Sequence, residues 1–210
     1  KRIRTPRRTG PARTGSYADL HDRRIAYTEH RGIGPVYLLV HGIGGCQQDW
    51  RAAVERLVST GHHVITVDLP GHGESVKDRG DYSLGAMASV LRDLLDHLGH
   101  EHAVLVGHSL GGGVALQFTY QFPERCVGLI LVCSGGLGTE TPTWLRAATL
   151  PGSRVVFAAI GSDTTTNSLL WTCRQLARVG IEPQMLNPQM VEKLSEFGDP
   201  DAREAFLATL

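Results

Sequence analysis

The stretch "LVGHSLGGGVAL", residues 105–116, decides how the chain is read. An apolar run breaks at Gly107-His108-Ser109-Leu110-Gly111 and then resumes with helical composition. The pattern is G-x-S-x-G, with a buried strand expected before it and a helix after it. A serine on so sharp a strand-to-helix turn is held at the carboxyl edge of a sheet with its hydroxyl exposed. Bulky neighbours would clash there, which accounts for Gly107 and Gly111. Gly112 and Gly113 let the helix approach the sheet. The helix N-terminus brings free N–H groups and a positive dipole end to the place where an oxyanion would develop.

On either side, strand and helix signals alternate. "SYADLHD" and "RRIAYTEH" read as two short strands around a turn near Asp22. "VYLLV" (36–40) is a continuous apolar run, the signature of a strand buried on both faces. "HVITV" (63–67) reads as the next buried strand, and "AVLVG" (103–107) and "VGLILVC" (127–133) as further strands, the last expected to be an uncovered apolar edge in a truncated sheet. Between them, "DWRAAVERLVSTG" (49–61) reads as a helix capped by Asp49, with a stripe of Trp50, Val54, Leu57 and Val58. "SLGAMASVLRDLLDHLG" (83–99) reads as a helix capped by Ser83 and closed by Gly99. Its apolar face is Leu84, Met87, Leu91, Leu94, Leu95 and Leu98. A further helix is expected over 110–122. This alternation predicts an α/β fold: a mostly parallel sheet with helices on both faces. After Gly135 no buried strand appears, and residues 142–150, 164–179, 187–197 and 200–210 read as helices. Asn187-Pro188 and Asp199-Pro200 each put a capping side chain before a proline.

Composition excludes several classes. The 210 residues are 41% hydrophobic and 20% charged, ordinary for a globular chain. No apolar run approaches the roughly 18–20 residues of a membrane helix. Residues 1–15 hold Lys1, Arg2, Arg4, Arg7, Arg8 and Arg13 and no acid. They are expected to form a solvated, disordered tail. No aromatic residues interleave the charges, so neither nucleic acid nor a membrane is an expected partner. Cys46, Cys126, Cys133 and Cys173 form no CxxC pair, and no Cys/His spacing predicts zinc. Cys126 and Cys133 are expected reduced, in or near the core, and the cytoplasm is the expected compartment. No metal or cofactor is called for.

An acyl-transfer site needs a second oxyanion donor. "HGIGG" (41–45) follows the "VYLLV" strand, and the Ile43 N–H is expected to join that of Leu110. Asp68, at the head of "DLPGHGES" (68–75), reads as a turn-organising carboxylate. His41 and His72 read as loop hydrogen-bonders, and Cys46 as a packed thiol. His108 neighbours the serine along the strand and is expected on the opposite face.

Three segments carry a family resemblance: "LLVHGIGG" with Trp50 following, "DLPGHGES", and "VGHSLGGGVALQFTYQFPERCVGLILVCSGG". With them the chain resembles the α/β-hydrolase superfamily over about residues 16–210. The resemblance implies an eight-stranded sheet, a helical lid inserted after the sixth strand, and a Ser–His–acid triad with Ser109 as nucleophile. Residues 16–135 would form the core and 136–210 the lid. An aspartate at the elbow would point to an epoxide hydrolase or haloalkane dehalogenase; Ser109 does not. The triad order is serine, acid, histidine. None of the ten histidines follows Ser109, and after "VGLILVC" no carboxylate appears until Glu140. The chain is therefore expected to be a fragment lacking C-terminal strands, ending inside a helix and nearly inactive alone. The expected function is cofactor-free hydrolysis of a carboxylic ester, or related acyl bond, of a small apolar substrate. The alternatives are carbon–carbon bond hydrolysis of ring-cleavage dienones and a binding homologue without turnover. Trp144, Phe157, Leu169, Trp171, Met185 and Met190 are candidates for pocket walls. Oligomeric state is not legible.

Overall fold

A computed structural model describes residues 13–134, 150, 152–178 and 188–209. Six strands form one sheet: β1 (Arg13–Leu20), β2 (Arg23–His30), β3 (Ile33–Val40), β4 (His62–Val67), β5 (Ala103–His108) and β6 (Cys126–Val132), in the order β1-β2-β4-β3-β5-β6. β3, β4, β5 and β6 are parallel; β2 pairs antiparallel with β4, and β1 antiparallel with β2. This is the mostly parallel sheet, flanked by helices, that the alternation of strand and helix signals predicts. β1 starts at Arg13, inside the segment assigned to the basic tail. Arg13 pairs with Glu29 across an irregularity before Ser16, and the backbone pairing overrides the local charge. The rest of the tail, residues 1–12, lies outside the described residues.

Alternation along the parallel strands sends side chains to two cores. Leu38, Val40, Ile65, Val67 and Leu105 meet α2 (Leu84–Leu98) and α3 (Leu110–Gln121) through Met87, Leu91, Leu94, Leu95, Val114 and Phe118. Leu39, Val64 and Val106 face α1 (Arg51–Ser59), which packs Ala53, Val54 and Leu57 on them beside Trp50. Val58, expected in that stripe, is exposed. Asp49 does not cap α1 either. It lies in a 3-10 turn, Gln47–Trp50, and its carboxylate accepts from the Cys46 N–H. α2 has the expected ends: the Ser83 hydroxyl accepts from Ala86 N–H, and Gly99 closes it in the left-handed region.

Beyond β6 the described elements are all helical: α4 (Ser153–Ile160), α5 (Asp163–Arg178), α6 (Pro188–Ser195) and α7 (Pro200–Ala208). The sequence pattern does not predict α4. Its Val155 and Val156 are exposed, and Phe157 anchors it against Phe197 and Phe206, ring centroids 4.9 and 5.4 Å away. Asp199 caps α7 through the N–H groups of Asp201 and Ala202. α7 stops at Ala208, where the Thr209 hydroxyl donates to the Ala205 carbonyl. The helix expected at 142–150 and the Asn187 cap lie outside the described residues, save Leu150. Among the described residues, no helix is long and apolar enough to cross a membrane.

Candidate active site

Ser109 sits between β5 and α3, where the strand leaves the carboxyl edge of the sheet. Its φ is 50° and ψ is −113°, a conformation a serine adopts only under constraint. Two contacts impose it. A Cβ on Gly107 would run into the Gly111 carbonyl, and one on Gly111 would run into the Val40 and His41 carbonyls. β5, α3 and the end of β3 are thus in backbone contact around the serine. The Ser109 N–H donates to the Val132 carbonyl at 3.1 Å, tying the turn to β6 as well. Ser109 occupies the N-cap position of α3, yet its hydroxyl caps nothing. An N-cap serine normally spends its oxygen on the helix N–H groups. Here the turn withholds it, and among the described residues it has no hydrogen-bond partner.

The 41–45 loop lies against this serine. A Cβ on Gly42 would stand 3.2 Å from Ser109 Cβ and 2.8 Å from His108 Nδ1. Ile43 follows Gly42 in the loop, and Leu110 follows Ser109 as the first residue of α3. His108 was expected to diverge from Ser109. Instead both border Gly42, because the positive φ of Ser109 redirects the chain; His108 is exposed.

The neighbouring carboxylate and imidazoles hold loops. Buried Asp68 accepts from Gln47 N–H (2.6 Å), Gln47 Nε2 (3.3 Å) and Glu74 N–H (2.9 Å). Burial raises its pKa, against the pull of those donors. Buried His41 bonds the Gly42 carbonyl through Nδ1 (2.7 Å) and accepts the Leu69 N–H at Nε2 (3.0 Å). His72 bonds the Pro70 carbonyl through Nδ1, 3.0 Å away. Burial pushes both histidines down to about 4, so they are neutral at pH 7. Cys46 is half-buried, and burial raises its thiol pKa. Cys126 is half-buried, bonded to Thr119 and the Gly128 carbonyl. Cys133, expected in or near the core, is exposed, because it follows a strand with no neighbour on its far side among the described residues.

The helical segment closes over these loops. Phe206 approaches Gly44, Ala205 packs on Gly71, and Lys193 bonds Asp49 at 2.7 Å. A small, partly open space of about 20 Å³ remains between Gly44, His72, Lys193, Phe197 and Phe206, and His72 Nε2 has no partner among the described residues. Of the expected pocket walls, Phe157 joins the Phe197–Phe206 cluster, Leu169 is half-buried and Trp171 is exposed. The sequence reading missed Gln47, Lys193, Phe197 and Phe206. Only their contacts mark them; no local pattern does. Trp144, Met185 and the Met190 side chain lie outside the described residues.

The sequence profile of the alpha/beta hydrolase fold family matches residues 35–200. An uncharacterized protein of Mycobacterium tuberculosis is 44% identical over 213 residues, covering all of this chain and 62% of that protein. The 2-hydroxy-6-oxo-6-phenylhexa-2,4-dienoate hydrolase of Comamonas testosteroni is 38% identical over 129 residues, 60% of this chain and 45% of that enzyme. Among solved structures, Cfl2 from Burkholderia cenocepacia superposes with a TM-score of 0.74 at 23% identity, over 93% of this chain and 69% of that one. The chain thus spans less than two thirds of the length of the curated relatives it matches. With the profile, the 44% relative and the sheet in agreement, the chain belongs to the α/β-hydrolase superfamily.

Proposed function

We propose that the protein is a serine hydrolase that cleaves a carboxylic ester, or a related acyl bond, of a small apolar substrate. The observation that carries the reading is the strained Ser109, its hydroxyl unspent at the N-terminus of α3 and beside the 41–45 loop. In this reading Ser109 Oγ attacks the substrate carbonyl. The N–H groups of Ile43 and Leu110 stabilise the oxyanion, a term worth about 2.7–4 kcal/mol per donor in comparable sites. A histidine takes the serine proton and returns it to the leaving group, oriented by a carboxylate. His41 and His72 are committed to loops, and no histidine follows Ser109. The reading therefore assigns base and acid to parts of the full-length protein outside these 210 residues. The lid aromatics Phe157, Phe197 and Phe206 favour an apolar acyl group. Among the described residues the cysteines form no disulfide, in keeping with a reducing, cytoplasmic compartment.

The Comamonas relative favours a second reading, carbon–carbon bond hydrolysis of a dienone, on the same serine. Steady-state kinetics of the full-length protein on short-chain aryl esters and on a vinylogous diketone separate the two. The ester reading expects saturable ester turnover that Ser109→Ala lowers by several orders of magnitude, since nucleophile and base act as a unit. Turnover of the diketone alone replaces it with the second reading, and turnover of neither leaves a binding homologue.

A further inference from the structure

At the edge of the sheet opposite Ser109, three side chains from three elements meet. Glu29 lies near the end of β2, His63 near the start of β4, and His100 in the turn between α2 and β5. Glu29 Oε1 is 2.9 Å from His63 Nε2 and 3.1 Å from His100 Nε2. One donor atom from each residue lies within 4.8 Å of the others. The two imidazoles meet edge to face, centroids 4.8 Å apart. The side chains are 7%, 12% and 18% exposed, so the cluster is largely shielded from water without being sealed. His100 also lines an open cavity of about 480 Å³ with Gly34, Pro35, Gly99 and His102.

We propose that Glu29, His63 and His100 form a binding site for a divalent transition-metal ion of the zinc class. Two imidazole nitrogens and one carboxylate oxygen are the donor set such ions take, with water in the remaining position. Metal–ligand bonds of about 2.0–2.1 Å put tetrahedral donors about 3.3–3.4 Å apart. The O–N separations of 2.9 and 3.1 Å fall a few tenths short of this, and the two imidazole nitrogens lie within 4.8 Å of each other, so binding would spread the carboxylate and rings slightly around the ion. The backbone already fixes each ligand. Glu29 pairs with Ile65 in the sheet, His63 with Val36, and the His100 N–H donates to the Leu95 carbonyl at 2.8 Å. The second Glu29 oxygen is held by Arg31 at 3.2 Å, which leaves Oε1 for the ion. The ion would pin β2, β4 and the approach to β5 together, a strand's length of about 20 Å from the serine. Its role is structural, and it is independent of the hydrolase reading. Sequence spacing gives no sign of it, because the ligands lie 34 and 71 residues from Glu29.

The test is zinc titration of the chelator-stripped full-length protein against a chromogenic competitor, with thermal unfolding and a cobalt(II) absorption spectrum alongside. The site predicts one ion per chain bound more tightly than about 1 µM, a higher Tm with zinc, and the intense visible bands of tetrahedral cobalt. Glu29→Gln and His100→Gln each remove a ligand and should weaken binding by more than the about 10–100-fold typical of losing an outer partner. His100→Gln, at the least buried ligand, should keep the metal-free Tm and so report binding separately from folding. Ester turnover should survive chelation. No zinc binding, or binding that both variants leave intact, overturns the proposal: the cluster is then a hydrogen-bonded His–Glu–His clasp.

Discussion

At Ser109 a positive φ costs on the order of 1–3 kcal/mol, and the packing of Gly107 and Gly111 sustains it. Asp68 works one layer further out. Its carboxylate satisfies the Gln47 and Glu74 N–H groups and so sets the loops that flank the serine. Asp68→Ala should lower stability by about 1–3 kcal/mol for each donor left unpaired, measured by urea unfolding of the full-length protein, and Asp68→Asn by less. An equal loss in both would show that the loops do not depend on those bonds. The roles of Asp68, His41 and His72 were legible because turn-rich sequence after a buried strand demands polar organisers. Gln47 was not, since it is reached only through contacts 19 and 21 residues away.

The elements were legible where periodicity and caps agree. α2 has both, and Ser83→Ala should cost about 1 kcal/mol in denaturant midpoint; no change would mean that the Ala86 N–H finds another acceptor. α4 was illegible because Ser153–Ile160 carries β-branched Val155, Val156 and Ile160 and no capping side chain; the Phe157–Phe197–Phe206 contact anchors it as a helix. β6 was read correctly, and so was its position as an uncovered apolar edge among the described residues. Ile130 pairs with Val106 and continues the face that α1 covers, yet Ile130 and Val132 are exposed. Such an edge templates pairing with other chains. A polypeptide of residues 1–210 alone should self-associate in light scattering as concentration rises, and Ile130→Lys should reduce this. A monomeric 1–210 chain would contradict it.

For the molecule as a whole, the neutral histidines set a pH limit. His41 and His72 protonate near 6.5 when unfolded but only at about 4 when folded. Between those values the unfolded state binds more protons, so stability falls as pH falls from 6.5 toward 4. Each histidine contributes on the order of 3 kcal/mol to that loss. Tm against pH should drop through this window, and less steeply in His72→Asn; parallel profiles would mean that His72 is not the titrating group. The parallel sheet and the serine turn were legible because both are written in short local patterns. The helical cover was less so, because tertiary contacts decide it. Ser109 as nucleophile is the proposal on which the hydrolase reading rests. The most direct measurement is reaction of the full-length protein with a fluorophosphonate, followed by mass spectrometry of its peptides. One covalent adduct is expected, on Ser109, absent from a folded Ser109→Ala variant. No adduct, or an adduct on another residue that survives the substitution, would contradict it.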